Sequence, residues 1–322
     1  MPKIVTFTLN PALDIHQQVE TPKLGALNRA NASHYSASGK GLNVSKALSR
    51  LGVASTAIMP LGGLFGSTTQ SLMGRAAAFY TPDVVPIRGE TRCNFKINDA
   101  KTGKLTEFND LSPTLSQAEL ETCQTKLVSS ASANDVVVLS GSLPGGADAS
   151  TYAQIIEKLR LKKVWVALDT SGDALAEGIK AEPDLVKPNR LEAETLLDKK
   201  IKTYGDAVTA AEDIQKLGAG EAIISLGAAG AVFIGSKTKL IATHPKIKPI
   251  STNGCGDALL GAYIHGILED WDDKQRAQFA LATATMRALM ERPRFPDPKL
   301  INAKLDGVTV HEAADFDLSK KL

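Results

Sequence analysis

Short apolar runs alternate with amphipathic helical patterns along almost the whole chain. The runs have the length of strands, and the patterns between them have the period of helices. Alternation of strands and helices predicts an α/β fold, a mostly parallel sheet flanked by helices on both faces. The predicted strands cover residues 4–9, 56–59, 136–139, 164–168, 185–186, 222–225 and 231–234.

Periodicity and capping patterns predict the helices between these strands. An apolar stripe over residues 44–51 stops before Gly52, a typical helix end. Ser116 and Glu119 have the spacing of a capping box and predict a helix that continues to residue 128. In such a sheet the ligand crevice lies beyond the carboxyl ends of the parallel strands. Further helices are predicted over residues 152–159, 206–217 and 257–268.

Two segments, about 12–36 and 90–110, break the alternation. The first has no helical stripe, and the second has the pattern of two polar strands joined by a turn. Neither contains enough apolar residues for a core of its own, so together they predict a small β lid on the main domain or on another subunit. The expected organisation is one domain over 1–305 with both lid segments inserted, followed by a polar C-terminal tail over 306–322.

Charge and cysteine content restrict the classes of partner. The 37 Lys and Arg residues nearly balance 35 Asp and Glu residues, so no global attraction to nucleic acid or to an anionic membrane is expected. Cys93, Cys123 and Cys255 are widely spaced and form no C-x-x-C pair, which argues against a disulfide framework and a zinc site. No apolar run approaches the roughly 18 residues of a membrane span. A soluble cytoplasmic protein is expected, and any specificity for anions must be local.

One glycine-rich turn near the C-terminus favours phosphoryl transfer. Gly254 and Gly256 flank Cys255, and Asp257 follows where a helix is predicted to begin. Such a turn can direct several backbone N–H groups at one point, where the helix dipole also favours negative charge. The amides would hold the moving phosphoryl group while Asp257 takes a proton from the acceptor hydroxyl. The alternative is an ordinary turn in which Asp257 only caps the helix.

A second glycine-rich segment precedes the first predicted helix. Gly39 and Gly41 would let the backbone approach a ligand, Lys40 adds a positive charge, and Asn43 adds an amide. The spacing differs from that of a P-loop, and an ordinary loop is the alternative.

The segment after strand 185–186 has the pattern of a magnesium site. Asn189 and Glu192 are three residues apart, which puts both side chains on one face of a helical turn. Oxygen ligands in this arrangement suit a magnesium ion that keeps its waters. The alternative is the start of a helix with a solvated face.

Four further features have simple structural alternatives. Ser225, Gly227 and Gly230 lie between two predicted strands, where a glycine hairpin is the default interpretation. Ser140 directly follows another strand. The basic residues of the two lid segments include Arg29 and Arg92, and exposed surface charges would be the usual explanation for them.

Taken in order, these motifs resemble the PfkB (ribokinase-like) carbohydrate kinase family over essentially residues 1–300. The resemblance is specific because the motifs occur together, although most are weak singly. In this sequence Cys255 stands where the family usually has alanine. The motifs are Asn10-Pro11-Ala12-Leu13-Asp14, Gly39-Lys40-Gly41-x-Asn43, Thr91-Arg92-x-Asn94, Ser140-Gly141-Ser142-Leu143-Pro144, Lys187-Pro188-Asn189-x-x-Glu192, Ser225-x-Gly227-x-x-Gly230 and Gly254-x-Gly256-Asp257.

The resemblance implies an ATP- and Mg²⁺-dependent kinase with a role for each motif. The resemblance implies Asp257 as general base, beside an anion hole formed by the amides of Gly254, Cys255 and Gly256. It implies that Asn189 and Glu192, beside Lys187, organise the magnesium ion. ATP would lie along Ser225, Gly227 and Gly230.

For the sugar, the resemblance implies that Asp14, Gly39 and Asn43 contact hydroxyl groups. Lys40, Arg92 and Ser140 would contact the phosphate that the substrate already carries. The resemblance also implies a homodimer formed through the β lid, in which Arg29 reaches the phosphate in the partner subunit.

Within the family the sequence most resembles the branch that phosphorylates phosphosugars. Fructose 1-phosphate, phosphorylated at its 6-hydroxyl, is the expected substrate. Tagatose 6-phosphate is the nearest alternative, followed by the fructose 6-phosphate of the minor 6-phosphofructokinase. A non-catalytic sugar-phosphate sensor is the alternative of another class, and retention of Asp257 and Glu192 argues against it. A dinucleotide oxidoreductase would need a G-x-G-x-x-G turn after the first strand, which the sequence lacks.

Overall fold

The computed structural model describes residues 2–76, 80–291 and 294–322. The strands of this part are β1 (Ile4–Phe7), β2 (Ala12–Val19), β3 (Ala30–Ser38), β4 (Ser55–Leu61), β5 (Tyr80–Pro86), β6 (Arg92–Asp99), β7 (Leu105–Phe108), β8 (Val136–Ser140), β9 (Trp165–Asp169), β10 (Leu185–Val186), β11 (Glu221–Ser225), β12 (Ala231–Ile234), β13 (Lys239–Thr243) and β14 (Thr309–Glu312). Its α-helices are α1 (Lys40–Arg50), α2 (Gly63–Ala76), α3 (Gln117–Ser130), α4 (Thr151–Leu161), α5 (Asp173–Lys180), α6 (Arg190–Leu197), α7 (Tyr204–Lys216), α8 (Cys255–Leu268), α9 (Asp273–Ala288) and α10 (Pro298–Leu305).

Ten strands form the main sheet, in the order β14-β13-β12-β11-β10-β9-β8-β1-β4-β5. Neighbours from β5 to β11 are parallel, and β11 to β14 are antiparallel. All seven strands predicted above are present, so the mostly parallel sheet is confirmed. The patterns missed β5, β13 and β14. Strands β5 and β14 are edges, and β5 contains Pro82 and Pro86, which an edge strand tolerates because one side of it needs no ladder bonds.

Helices cover both faces of the main sheet, as predicted. Leu127 of α3, Ile155 of α4 and Ile214 of α7 belong to one apolar cluster with the sheet. Leu48 of α1 and Leu260 of α8 belong to a second cluster, on the other face, together with α9. A sheet buried on both faces explains the nearly continuous apolar runs of its central strands. None of the helices in the described ranges has both the length and the apolarity that a membrane span requires.

The small sheet consists of four strands in the order β3-β2-β6-β7 and contains both predicted lid segments. Its two faces differ because successive side chains of a strand alternate. Asp14 of β2 pairs in register with Asn94 of β6, and both are buried. The next pair in register, Ile15 and Phe95, lies on the opposite face. The sheet therefore has a polar buried face and a partly exposed apolar one.

Residues 306–322, predicted as a tail, are part of the fold. Strand β14 pairs with β13 at the edge of the main sheet. The ring of Phe316 packs on that of Tyr204 at a centroid distance of 4.9 Å, and Leu322 N–H donates to the Lys202 carbonyl. The prediction of a separate tail is wrong because backbone pairing stabilises this polar segment without an apolar stripe.

Candidate active site

The carboxyl ends of four neighbouring strands supply the floor of the candidate site. Ser140 ends β8, Asp169 ends β9, Lys187 directly follows β10, and Ser225 ends β11. Because these strands are parallel neighbours, residues from distant parts of the sequence meet at one edge of the sheet. Ser140 is fully buried, and its hydroxyl has no hydrogen-bond partner among the described residues.

Helix α8 begins at Cys255, and its first turn lies beside Lys187 at the same edge. We call residues 254–256 the anion loop. Gly254 has a φ of +78°, a conformation that glycine adopts without strain, and it precedes the helix. Asp257 therefore lies in the first turn, where it is 6% exposed, and its Oδ2 accepts a hydrogen bond of 2.8 Å from Asn43 Nδ2. This contact depends on close packing of α1 on α8, since a Cβ on Gly261 would lie 3.0 Å from the Ala47 Cβ.

The Asp257 carboxyl has a raised pKa. Burial has the largest effect and the nearby Asp169 carboxylate adds to it, so the pKa rises to about 6. Lys40, Asn43 and Lys187 act in the opposite direction. A carboxylate that is ionised at neutral pH and has a raised proton affinity suits a general base.

Asp169 is a buried carboxylate that the sequence analysis did not select. Its Oδ1 lies 3.1 Å from Lys40 Nζ and its Oδ2 lies 3.2 Å from Lys187 Nζ. Burial opposes ionisation, but the two ammonium groups hold the pKa of Asp169 below its usual value. Asp169 could have been identified from the sequence, because a carboxylate at the end of a central parallel strand lies at the edge of the sheet where ligands bind.

Lys40 belongs to this charged cluster. Its Nζ also lies 3.6 Å from Glu192 Oε1. Burial lowers the pKa of Lys40, and the carboxylates of Asp169, Glu192 and Asp257 outweigh that effect and raise it. The sequence predicts Lys40 on the substrate phosphate, whereas its observed partners are the carboxylates around Asp257.

The anion loop also approaches Lys187. A Cβ on Gly256 would lie 3.1 Å from Lys187 Nζ, so glycine at this position leaves room for the ammonium group. The Cys255 thiol donates to the Ser251 carbonyl oxygen at 3.7 Å, which directs the sulfur toward the backbone of the preceding loop.

Asn189 and Glu192 form a reciprocal capping box at the start of α6. Asn189 Oδ1 accepts from Glu192 N–H at 2.9 Å, and Glu192 Oε2 accepts from Asn189 N–H at 2.8 Å. These four groups therefore cap the start of a helix, which is the structural alternative given above. Glu192 Oε1 remains directed at the site through its approach to Lys40. Within the described ranges no cluster of three or more His, Cys, Asp or Glu side chains could enclose a metal directly.

The segment from Ser225 to Gly230 runs beside this capping box. Ser225 N–H donates to the Pro188 carbonyl at 3.1 Å, and Ser225 forms an isolated bridge with Asn189. The predicted hairpin is present. Gly230 has a φ of +95°, and a Cβ there would lie 2.1 Å from the Ala242 carbonyl oxygen, so the turn itself requires glycine. A Cβ on Gly227 would contact nothing within 4 Å, so the backbone at Gly227 is open to a ligand.

The small sheet brings a second charged cluster toward the first. Asp14 accepts hydrogen bonds from Asn94 Nδ2 at 2.9 Å and from Lys96 Nζ. Burial acts to raise the pKa of Asp14, and the contact with Lys96 outweighs it, so the pKa is lowered. Arg92 Nη2 donates to the Asn10 carbonyl at 2.9 Å, where the chain enters the small sheet.

Gly39 and Arg29 lie outside both clusters of ion pairs. Gly39 has a φ of +149°, and a Cβ there would lie 2.6 Å from Thr8 Cγ2, so tight packing on the end of β1 requires glycine. Arg29 is exposed in the connection between β2 and β3.

Lys46 is a second residue that the sequence analysis missed. Its Nζ donates to the Ala37 carbonyl at the end of β3, on the same side of α1 as Asn43. Burial lowers the pKa of Lys46 to about 8, and the carboxylates of Asp14 and Asp257 act against this. Because Lys46 interacts with both, it connects the two charged clusters.

Comparison with known proteins identifies the family. The sequence profile described as pfkB family carbohydrate kinase matches residues 8–300. The 1-phosphofructokinase of Escherichia coli strain K12 is 33% identical over 291 residues, which cover 88% of this chain and 90% of that protein. The 1-phosphofructokinase of Rhodobacter capsulatus is 34% identical over 312 residues, covering 96% and 97%.

Solved structures agree with this assignment. Phosphofructokinase-2 from Escherichia coli, solved in complex with substrates and products, superposes with a TM-score of 0.89 at 26% identity. The match covers 94% of this chain and 98% of that structure. With the ribokinase-like architecture and the anion loop described above, this chain belongs to the pfkB family of carbohydrate kinases, enzymes that transfer a phosphoryl group from ATP to a sugar hydroxyl.

Proposed function

We propose that this protein phosphorylates fructose 1-phosphate at its 6-hydroxyl and releases fructose 1,6-bisphosphate and ADP. The observation that carries the proposal is the buried Asp257 carboxylate beside the anion loop, with its pKa raised to about 6. The relatives named 1-phosphofructokinase support the choice of substrate.

Catalysis would begin with proton transfer from the 6-hydroxyl to Asp257. Asn43 donates to Oδ2 and thereby fixes the orientation of the carboxylate. The attacking oxygen then bonds to the γ-phosphorus as the bond to the ADP oxygen breaks. Amides of Gly254, Cys255 and Gly256 would hold the phosphoryl oxygens, which are the atoms where charge accumulates. Lys40 and Lys187, both paired to Asp169, would neutralise that charge. The carboxylates around Lys40 favour this role because they raise the pKa of its ammonium group.

ATP would lie along Ser225, Gly227 and Gly230 with its phosphates toward Lys187. Mg²⁺, when bound to the ATP phosphates, would supply further positive charge for the transfer. Glu192 Oε1 is the oxygen suited to accept a hydrogen bond from a water of that ion, with the Asn189 amide beside it. The donor set fits an ion bound through water, because the other Glu192 oxygen is used in the capping box.

The sugar would lie between the two charged clusters. Asp14, Gly39 and Asn43 would contact its hydroxyls. Arg92, with Ser140, would bind the phosphate already present on the sugar, because a guanidinium can form two parallel bonds to phosphate oxygens.

We further propose that the small sheet is both a lid and a dimer interface. Tyr35, Ile15, Phe95 and Phe108 are consecutive partners in register across its four strands, and we call them the outer row. Tyr35 is 48% exposed, Phe95 44% and Phe108 51%. A second copy of this chain could cover the outer row and bring its Arg29 to the sugar phosphate. ATP as substrate and the buried thiols of Cys93 and Cys123, which form no disulfide, support the cytoplasm as the compartment.

Coupled measurement of ADP release tests the proposal. Purified protein with ATP and Mg²⁺ would be assayed with fructose 1-phosphate, tagatose 6-phosphate, fructose 6-phosphate and unphosphorylated fructose. The expected result is the highest kcat/KM for fructose 1-phosphate. A preference for free fructose would overturn the phosphosugar assignment, and a preference for tagatose 6-phosphate would change only the sugar. Tight binding of a sugar phosphate without ADP release would identify a non-catalytic sensor.

A further inference from the structure

Arg287 is the largest of the fully buried side chains in the described ranges, and it lies behind the anion loop. It belongs to α9 and is 2% exposed. Its Nη1 donates to the Met290 carbonyl at 2.9 Å, but its Nε is buried and has no hydrogen-bond partner among the described residues. A Cβ on Gly254 would lie 3.6 Å from this Nε, so the unpaired donor is adjacent to the first residue of the loop.

Burying this guanidinium is costly, because a charge loses its hydration when it leaves water. In the part of the chain that the structure describes, no carboxylate forms an ion pair with Arg287. The ring of Phe295, whose centroid lies 5.5 Å from Arg287 Cζ, compensates part of the cost. An apolar side chain of similar volume would fill this space without the penalty, so packing alone does not account for an arginine.

The end of α9 also holds the segment that leads into the anion loop. Ile250 N–H and Ser251 N–H both donate to the Ala288 carbonyl, at 2.7 and 3.2 Å. Arg287 precedes that anchor by one residue. The end of α9 therefore holds both the Arg287 guanidinium and the backbone that leads into the anion loop.

We propose that Arg287 is a positioning residue for phosphoryl transfer. Its guanidinium supplies a fixed positive charge beside Gly254, which increases the attraction of the anion loop for the phosphoryl oxygens. In a buried site such a charge acts more strongly than at the surface, because little water screens it. Arg287 itself does not touch the substrates. The inference rests on the proposed function, since it assigns the anion loop to the transferred phosphoryl group.

Three variants test the role of the charge. Arg287→Met keeps an unbranched apolar stem without charge, and Arg287→Lys keeps a charge without the planar fork. Arg276→Met is the matched control, because Arg276 lies in the same helix, pairs with Asp273 and packs on Gly266 at the far end of α8. We expect kcat of Arg287→Met to fall roughly 10- to 100-fold, less than the roughly 10²–10³-fold loss of a direct oxyanion donor. The sugar KM should change little, and Arg287→Lys should recover most of the rate.

Stability and nucleotide binding complete the test. Replacing a buried charge by an apolar side chain is often neutral or stabilising, so Arg287→Met should melt at or above the wild-type Tm while losing rate. Titration with the Mg²⁺ complex of a non-hydrolysable ATP analogue should give weaker binding for Arg287→Met than for wild type, Arg287→Lys or Arg276→Met. If no phosphosugar is turned over, only the proposed function is refuted, and this titration still tests the role of Arg287.

Wild-type kcat and nucleotide affinity in Arg287→Met would overturn the inference. Losses in Arg287→Lys equal to those in Arg287→Met would also overturn it. If Arg287→Met does not fold, near-wild-type kcat in Arg287→Lys supports the role and a 10-fold or greater loss overturns it.

Discussion

The main sheet and the small sheet each bury an aspartate beside lysine, but they differ in what covers the other face. Asp169 is fully buried at the end of β9, in a sheet that helices cover on both sides. Asp14 is buried on the inner face of the small sheet, while Phe95 of the outer row is 44% exposed on the other. A sheet with one exposed apolar face lacks part of its core within a single chain. In the proposed function the residues of phosphoryl transfer would thus belong to the core of one chain, whereas closure over the sugar would depend on an element completed by association.

The largest expected effect is the loss of turnover in Asp257→Asn. An amide cannot take the acceptor proton, so kcat should fall by roughly 10²–10⁴-fold. The Asn oxygen can still accept from Asn43, and a neutral side chain avoids burial of a charge, so the Tm should equal or exceed that of wild type. Sugar-phosphate affinity should be unchanged. Near-normal turnover of the purified variant would mean that Asp257 only caps α8.

Asp169→Asn should have the largest effect on stability. It leaves the ammonium groups of Lys40 and Lys187 without their shared carboxylate, and breaking a buried pair costs about 3–5 kcal/mol. The matched control is Asp297→Asn, which breaks a surface pair with Arg50 worth about 0–1 kcal/mol. Urea unfolding of both variants measures the difference. Equal losses would show that the Asp169 cluster contributes no more than a surface ion pair.

Arg92→Ala separates a phosphorylated from a plain sugar. Losing charged hydrogen bonds to the non-reacting phosphate should weaken sugar-phosphate binding by about 1.5–3 kcal/mol. Because the contact is the same in the ground and transition states, KM should rise more than kcat falls, and the KM for ATP should barely change. Arg50→Ala, which removes an exposed arginine, is the control. An unchanged KM for every sugar phosphate would reject the phosphate role of Arg92.

Phe95→Glu tests whether association completes the small sheet. A charge in the middle of the outer row should prevent burial of this face, so sedimentation should detect monomers where wild type forms dimers. The sugar KM should rise less than in Arg92→Ala, because only the contribution of the partner's lid is lost. Leu161→Glu is the matched control, since Leu161 is 88% exposed on α4 of the main domain. Wild type that sediments as a monomer at assay concentrations would refute the lid-mediated dimer.

The two sheets also differ in how well the sequence predicts them. The central strands of the main sheet were predictable because burial on both faces gives continuous apolar runs. Strand β14 was not, because backbone pairing at an edge leaves little trace in side-chain pattern. In the small sheet the patterns predicted strands but could not specify β2 beside β6, since register and order depend on contacts between distant segments.

Within the site, local motifs were predictable and contacts between motifs were not. The anion loop and the capping box of Glu192 are encoded within a few residues, so their spacing was visible. The pairing of Asp169 with Lys40 joins positions 129 residues apart, and that of Asn43 with Asp257 joins positions 214 apart. Burial raises the pKa of Asp257 most, and Asp169, Lys40 and Asn43 then modify it from distant positions of the sequence, so no local pattern contains this pKa. Lys46 was missed for the same reason.

The smallest expected effect is the acid limb of kcat/KM, which reports the free enzyme and assigns the raised pKa to Asp257. As a base it acts only when ionised, so with a pKa of about 6 kcat/KM should be about half its neutral value near pH 6 and fall about tenfold for each pH unit below that. A sugar phosphate also titrates near this pH, since its second pKa is about 6. Asn43→Ala distinguishes the two, because it removes a hydrogen bond that lowers the pKa of Asp257 and leaves the substrate unchanged. The acid limb of kcat/KM should move to higher pH in this variant. A limb that stays in place would assign the titration to the substrate.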